Sequence, residues 1–377
     1  MFRPLWMARS ERSESDVMAD LSLHEHVSGQ ISRLCDVAGL TGHREGAAEL
    51  IGLLLGAAGE NRIGVLSSWP SGVSDDTTPV EFSVAFDTNG KYAVRVLGET
   101  VGTFPEWHFL DSVADRLRLA TDRFEAIRDL FLAGERQGEF RIWYSLIFRP
   151  DTPARLKVYL NPQVSGPSRA VDLVVEGMRR LGIERACAPV LASALTRGTL
   201  DRFSFFALDL DGTAQARVKL YVTHEAAEVA DVVRAASLVA GIDPMRIQEF
   251  CAILGGGYGP FQGRPLISSY SFVGGDDDRP SSYGLYLPIR SYVPDDEVAR
   301  ARVLAVLAQY DMNSAILDES IAAVSARPLR AGVGLIPHIS LRLGASGSGI
   351  TVYLSSEAYS VMPPRGRSVL GLVSSAQ

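Results

Sequence analysis

Arg155-Leu-Lys-Val-Tyr-Leu-Asn161 and, one hairpin later, Arg217-Val-Lys-Leu-Tyr-Val-Thr223 carry one pattern: Arg, Lys, Tyr and a short polar residue at alternate positions, with aliphatic residues between them. A period of two puts the two sets on opposite faces of a β-strand. Each stretch reads as the second arm of a hairpin. Residues 154–160 follow 140–148 across Arg149-Pro150-Asp151, and 214–222 follow 203–210 across Asp211-Gly212. The same unit opens at Pro79-Val-Glu-Phe-Ser-Val-Ala-Phe-Asp87, turns at Thr88-Asn89-Gly90 and returns along Lys91-Tyr-Ala-Val-Arg-Val-Leu97. Asn-Gly between two alternating runs is a strong hairpin signal. The unit recurs at 266–273 with 282–289, and at 336–343 with 349–354.

Apolar residues three and four apart predict helices over 23–38, 44–58, 109–133, 169–181, 224–240, 244–254, 295–310 and 314–324. Repeated hairpins with helices between them point to one repetitive architecture. Ten antiparallel strands leave fewer exposed edges when they close. The expected fold class is therefore α+β, a ten-stranded barrel with helices outside it. The faces decide which side is which. The amphipathic helices need an apolar partner, and the Leu/Val/Ile/Phe face of the strands supplies it. The polar face, with Glu81, Arg95, Lys157, Tyr159, Arg217, Lys219, Tyr221, Tyr286 and Tyr353, then points inward to a solvated lumen. For a single strand, that face would read as the solvent side of an ordinary sheet. Five hairpins with interleaved helices favour the lumen.

The bulk properties agree with a globular enzyme. The chain has 377 residues, 46% hydrophobic and 21% charged, with a net charge of −7. An acidic total argues against nucleic acid or an anionic membrane as the main partner, but leaves room for a small basic pocket. Cys35, Cys187 and Cys251 are odd in number and widely spaced, which predicts neither a disulfide framework nor a zinc site and fits a cytoplasmic setting. His24 and His26 read as part of a solvated turn. No apolar run is long enough to span a bilayer. Residues 1–20 are expected to be disordered, with 21–377 forming one domain.

A cluster of Arg95, Lys157, Arg217 and Lys219 facing one lumen repels itself and calls for an anion. Guanidinium forks and ammonium groups suit the oxygens of a diphosphate. Tyr159, Tyr221, Tyr286 and Tyr353 lie on the same faces, and ring faces stabilise a cation without offering a strong nucleophile. Together they suggest a substrate that splits into diphosphate and a carbocation, as an allylic diphosphate does. Glu81 is the inward carboxylate of the first strand. It could accept a hydrogen bond from an aromatic N–H, remove a proton, or form an ion pair with Arg95. Asp276-Asp277-Asp278 reads as a solvated hairpin loop, since carboxylates that bind a metal–diphosphate from a helix need helical spacing. Gly255 to Gly259 ends a helix and lacks the Lys-Ser/Thr of a phosphate loop.

These residues resemble the dimethylallyltryptophan synthase type of aromatic prenyltransferase, whose ten-stranded barrel with outer helices is called the ABBA or PT fold. The resemblance runs from about 79 to 359. It rests on Val80-Glu-Phe-Ser-Val84, Arg95, Leu156-Lys-Val-Tyr-Leu-Asn161, Arg217-Val-Lys-Leu-Tyr221, Leu285-Tyr-Leu-Pro288 and Thr351-Val-Tyr353. It implies that Arg95, Lys157, Arg217 and Lys219 bind the diphosphate and that Tyr159, Tyr221, Tyr286 and Tyr353 form a tyrosine shield. It further implies that Glu81 binds the indole N–H and that no metal or other cofactor is needed. The implied partners are dimethylallyl diphosphate and L-tryptophan, with the chain a monomer or homodimer. The compact length is similar to bacterial members that prenylate free tryptophan, often at C6. Another indole attacked at N1 or C7, a phenolic acceptor, or a non-catalytic isoprenoid-phosphate carrier are the alternatives. Two positions depart from the family pattern. Gly284 stands where many members have Gln, and Arg141-Ile-Trp-Tyr-Ser-Leu-Ile147 lacks the Lys that takes the final proton in some members.

Overall fold

A computed structural model describes residues 21–65, 70–102, 105–133, 137–275, 278–345 and 347–366. The expected disorder of residues 1–20 and the first two aspartates of Asp276-Asp277-Asp278 lie outside them. Ten strands alternate with helices along the chain: β1 (Val80–Asp87), β2 (Tyr92–Gly98), β3 (Ile142–Arg149), β4 (Thr152–Leu160), β5 (Asp201–Asp209), β6 (Val218–His224), β7 (Leu266–Phe272), β8 (Ser282–Leu287), β9 (Ile339–Gly344) and β10 (Gly349–Ser355). Each strand pairs antiparallel with its sequence neighbour, and β1 also pairs with β10, so the sheet closes. This connectivity places the five hairpin turns at one end of the barrel. The longer crossovers gather at the other.

The faces sort as the alternation requires. Phe82, Val84 and Phe86, Leu156, Val158 and Leu160, and Val218, Leu220 and Val222 are at most 2% exposed. They form one core with helix residues such as Leu23, Val27, Leu54, Phe109, Val174, Ile247, Val303 and Ile321. Each such burial contributes about 1.5–3 kcal/mol of transfer free energy, so the apolar face is committed to the helices and the polar face to the lumen. Helix starts follow the sequence where capping residues exist. Ser22 and Glu25 form a capping box on Leu23–Val37. Asp243 caps Pro244–Gly255, and Gly256 ends that helix in the left-handed region at φ 77°. Asp295 caps Asp296–Gln309. The buried carboxylate of Asp296 accepts from the backbone N–H groups of Gly334, Leu335 and Ile336 and pairs with Arg327, which fixes the approach to β9.

Three local expectations change. The helix expected over 109–133 is three pieces, His108–Leu117, Asp122–Glu125 and Arg128–Leu132. Arg118 turns left-handed at φ 51° and Ala120 donates its N–H to Leu210 O at 3.0 Å, so pairing with the barrel interrupts the periodicity. The helix expected over 224–240 is confined to Val229–Ala236. His224 instead ends β6, with Nδ1 2.8 Å from Asp201 Oδ1 and Nε2 2.9 Å from Ser268 Oγ. His26 is not in a solvated turn. It lies on Leu23–Val37, buried, with Nε2 3.1 Å from Ser356 O. One helix without a strong periodic signal, Glu184–Ser193, carries Pro189 inside it.

All three cysteines are buried and unpaired. Among the described residues, no helix is long and apolar enough to cross a membrane, and no group of three or more His, Cys, Asp or Glu side chains is placed to hold a metal ion.

Candidate active site

The lumen is a cavity of about 760 Å³ running from the hairpin turns to Glu81. All nine residues singled out from the sequence line it: Glu81, Arg95, Lys157, Tyr159, Arg217, Lys219, Tyr221, Tyr286 and Tyr353. Arg149, Arg155 and Arg342 add to its basic wall, and Asp209 stands among them.

Asp209 organises the turn end. Lys157 Nζ is 2.9 Å from its Oδ1 and Arg217 Nε is 2.7 Å from its Oδ2. Register explains the contact, since Lys157 lies directly opposite Asp209 on β5. The two cations hold the Asp209 carboxyl far below the usual carboxylate range against the opposing effect of burial. One carboxylate does not neutralise the cluster. Burial pushes the Lys157 ammonium down to about 8, with Asp209 opposing and Arg217 and Arg95 adding to the fall. Burial also drives Lys219 well below its ordinary value, helped by Lys157 and Arg217. Arg149 falls to about 10 through burial and the charges of Arg95, Arg217 and Arg155. Arg95 reaches Thr351 Oγ1 at 3.5 Å, and its buried Nε has no hydrogen-bond partner among the described residues. A dianionic or trianionic group entering here would restore the protonation that burial opposes.

Replacing Asp209 with asparagine keeps its size and removes the charge that Lys157 and Arg217 share. The variant is expected to bind inorganic diphosphate about 10-fold more tightly. Product-inhibition constants and calorimetry measure this. Unchanged or weaker diphosphate binding would mean that Asp209 only orients the two cations.

The tyrosines form a continuous arc. Ring centroids are 5.8 Å apart for Tyr159 and Tyr221, 5.7 Å for Tyr221 and Tyr286, and 6.1 Å for Tyr286 and Tyr353. They come from β4, β6, β8 and β10. On the flank toward the next strand in sequence a small residue stands opposite each: Ala207 against Tyr159, Ser269 against Tyr221 and Ser340 against Tyr286. That alternation gives the rings space to lean together. Lys219 Nζ lies 4.9 Å from the Tyr221 ring centroid and donates to Tyr286 OH at 3.5 Å, joining the cationic wall to the arc. Burial raises the Tyr221 and Tyr353 phenols well above their usual range, so they remain neutral.

Past the arc, Phe140 stacks on Trp143 at 4.1 Å, with Phe205 5.5 Å from each. Glu81 is buried on the lumen face beside this end. The ion pair between Glu81 and Arg95 does not form among the described residues, because the register sets Arg95 opposite Ser83. The charges that reach Glu81 are Asp75, Arg264 and Asp76, and burial followed by Asp75 raises its carboxyl well above the ordinary value. Gly284 lies opposite Arg342 on the lumen face, and a Cβ there would stand 2.6 Å from Ser269 Oγ, so a larger residue at 284 requires that hydroxyl to turn away. The lumen face of β3 presents Ser145 and Ile147 and no titratable group before Arg149.

The arrangement separates two chemistries along one axis. Cations stand at the turn end, neutral rings line the middle, and a buried carboxylate stands at the far end, opposite Leu97, which packs on the Phe140–Trp143 cluster. Such a lumen can accept a diphosphate, enclose a carbocation and orient an aromatic N–H.

Known proteins match this architecture. The sequence profile described as tryptophan dimethylallyltransferase matches residues 50–316. The crystal structure of 6-dimethylallyltryptophan synthase from Micromonospora olivasterospora, in complex with DMASPP and Trp, is 49% identical, covers 91% of this chain and 100% of its own, and superposes with a TM-score of 0.87. Prenyltransferase PriB, as a binary complex with product diphosphate, is 35% identical over 91% of this chain and 99% of its own, with a TM-score of 0.84. The 5-dimethylallyltryptophan synthase from Streptomyces coelicolor is 33% identical over 90% and 99%, with a TM-score of 0.83.

Proposed function

Since the chain belongs to the tryptophan dimethylallyltransferase family, we propose that it transfers the dimethylallyl group of dimethylallyl diphosphate to the indole of L-tryptophan, at C6 and in the normal orientation. The observation that carries this reading is a single lumen joining an under-neutralised cationic cluster, a four-tyrosine arc and a buried carboxylate. The choice of C6 is supported by 49% identity to the 6-dimethylallyltryptophan synthase, against 33% to the 5-dimethylallyltryptophan synthase.

In this mechanism Arg95, Lys157, Arg217 and Lys219 hold the diphosphate. The bond between the prenyl C1 and the bridging oxygen breaks, and its electron pair leaves with the diphosphate. The fixed positive charges stabilise that developing anion without reorganising. Tyr159, Tyr221, Tyr286 and Tyr353 enclose the allyl cation through their ring faces and exclude water, which would otherwise capture it. Glu81 accepts the indole N–H, which adds electron density to the ring and fixes its position. The indole carbon attacks, a C–C bond forms, and the ring C–H proton leaves to restore aromaticity. The lumen face of β3 offers no base between Ser145 and Ile147, so Glu81 and the released diphosphate are the groups assigned to receive that proton.

Incubation with dimethylallyl diphosphate and a panel of indoles and phenols tests the reading, with the product's attachment point read by NMR. A C6-prenylated tryptophan with one diphosphate released per turnover is the expected result. Exclusive prenylation of a phenol or of a peptide-bound indole would replace the acceptor assignment. Because side chains carry the leaving group's charge, excess EDTA is expected to leave the rate unchanged. A loss restored by Mg²⁺ would transfer part of that role to a metal ion.

A further inference from the structure

Of the chain's 37 lysines and arginines only three are lysines, Lys91, Lys157 and Lys219, and all three line the lumen. The two residue types differ in one chemical respect. A guanidinium keeps its proton at every pH an enzyme meets, whereas an ammonium can release its proton and become a nucleophilic amine. The lysines therefore mark where this wall can form a covalent bond, and their surroundings rank them.

Lys91 is exposed beside the first hairpin turn. Lys157 is buried, but a carboxylate partner, Asp209, stands 2.9 Å from its Nζ. Lys219 is also buried, and among the described residues no carboxylate lies within ion-pair distance of its Nζ, because Asp209 is engaged by Lys157 and Arg217. Its contacts are the Tyr286 hydroxyl at 3.5 Å and the face of Tyr221, whose centroid is 4.9 Å from Nζ. Burial, then the charges of Lys157 and Arg217, hold its ammonium well below the ordinary value, with Asp209 opposing. Enclosure beside other cations favours the uncharged, nucleophilic amine.

An amine at the border of an anion site selects one kind of electrophile. The basic wall attracts a phosphate, and Lys219 stands two residues beyond Arg217, on the tyrosine side of that wall. A carbonyl carbon a few bonds from a phosphate would be carried to Nζ.

We propose that Lys219 is a covalent binding site for phosphorylated aldehydes. The phosphate lies against Arg95, Lys157 and Arg217, and the aldehyde carbon meets Nζ. The amine lone pair forms the C–N bond. The carbonyl oxygen takes both amine protons and leaves as water, so amine and aldehyde become imine and water with no change of oxidation state. The imine occupies the donor's place and blocks it reversibly. A bound diphosphate protects Nζ in two ways, by filling the wall and by favouring the charged form of the amine. The proposal rests on the reading of the basic wall as an anion site, and needs neither an acceptor nor prenyl transfer.

Pyridoxal 5′-phosphate is the probe, and pyridoxal is its phosphate-free control. The wild type is incubated with each, the imine is fixed by borohydride reduction, and the labelled peptides are located by mass spectrometry. One label per chain on Lys219 is expected, with pyridoxal needing about 10- to 100-fold higher concentration for equal labelling. Excess inorganic diphosphate is expected to prevent the reaction. Lys219→Arg keeps a cation and is expected to lose the label, with calorimetry of inorganic diphosphate reporting whether the variant keeps its fold. If that variant no longer binds diphosphate, the wild-type map and the protection experiment decide. Label on Lys91 or Lys157 in place of Lys219, no label, equal labelling by pyridoxal, or no protection by diphosphate would overturn the proposal and leave the donor assignment standing. A wild type that binds no inorganic diphosphate would remove the donor assignment, and this site with it.

Discussion

Lys219→Ala is expected to lower turnover of dimethylallyl diphosphate by on the order of 10²–10³-fold, the loss typical of removing one preorganised charge from a developing anion. Lys219 sits where the cationic wall meets the tyrosine arc, over the Tyr221 ring and hydrogen-bonded to Tyr286. Burial and neighbouring cations depress its ammonium. A diphosphate bound there would supply the counter-charge that makes protonation favourable, so binding the donor would charge Lys219. A neighbouring group extends the argument to pH. Lys157 has its ammonium lowered to about 8, and its charged form is lost as pH rises through that value. The profile of kcat/KM, which reports the free enzyme, is therefore expected to fall above about pH 8. Steady-state kinetics of diphosphate release, with thermal melts as a control for folding, decide the matter. Turnover near the wild-type rate in a folded Lys219→Ala protein would detach the diphosphate from this cluster.

Glu81→Ala is expected to reduce kcat/KM for the indole acceptor by about 10- to 150-fold, the range for losing a hydrogen bond to a charged group. Glu81→Gln keeps an acceptor oxygen but not the negative charge, and should fall between the two. The pH dependence separates orientation from charge. The Glu81 carboxyl is raised well above its ordinary value of 4.5, first by burial and then by Asp75. Its anionic form is present above that raised value and disappears as pH falls through it. The acid limb of the wild-type profile should therefore lie above pH 4.5, displaced toward neutrality, and should vanish in Glu81→Gln. A variant with wild-type kinetics would leave Glu81 a structural group of the crossover end.

The barrel and its inward face were legible because strand alternation is local. Arg155, Lys157 and Tyr159 repeat at the positions of Arg217, Lys219 and Tyr221, and no long-range information is needed to see which residues share a face. Asp209 was not legible. Phe203 belongs to the helix-packed core, and counting by twos from it sends Asp209 outward. The register slips between Phe203 and Phe205, so Phe205 leaves the helix-packed core for the Phe140–Trp143 cluster, and Asp209 turns inward to the lumen. Asp75 and Arg264, whose charges reach Glu81, were hidden for another reason. They lie on crossover segments, where no periodicity says what the side chains face, and only the closed fold brings them together. The same limit applies to the break at Arg118, which tertiary pairing imposes on an otherwise helical pattern.

The two ends of this barrel are built from different kinds of backbone. Lys157, Lys219 and the four tyrosines hang from strands whose every neighbour is laddered, whereas Asp75 and Arg264, whose charges reach Glu81, belong to connecting segments outside that ladder. Insertions and substitutions in the connectors can therefore change the surroundings of Glu81 while the laddered cationic wall keeps its geometry. Residues 70–79 can thus be exchanged for those of a relative without rebuilding the laddered wall that carries Lys157, Lys219 and the four tyrosines.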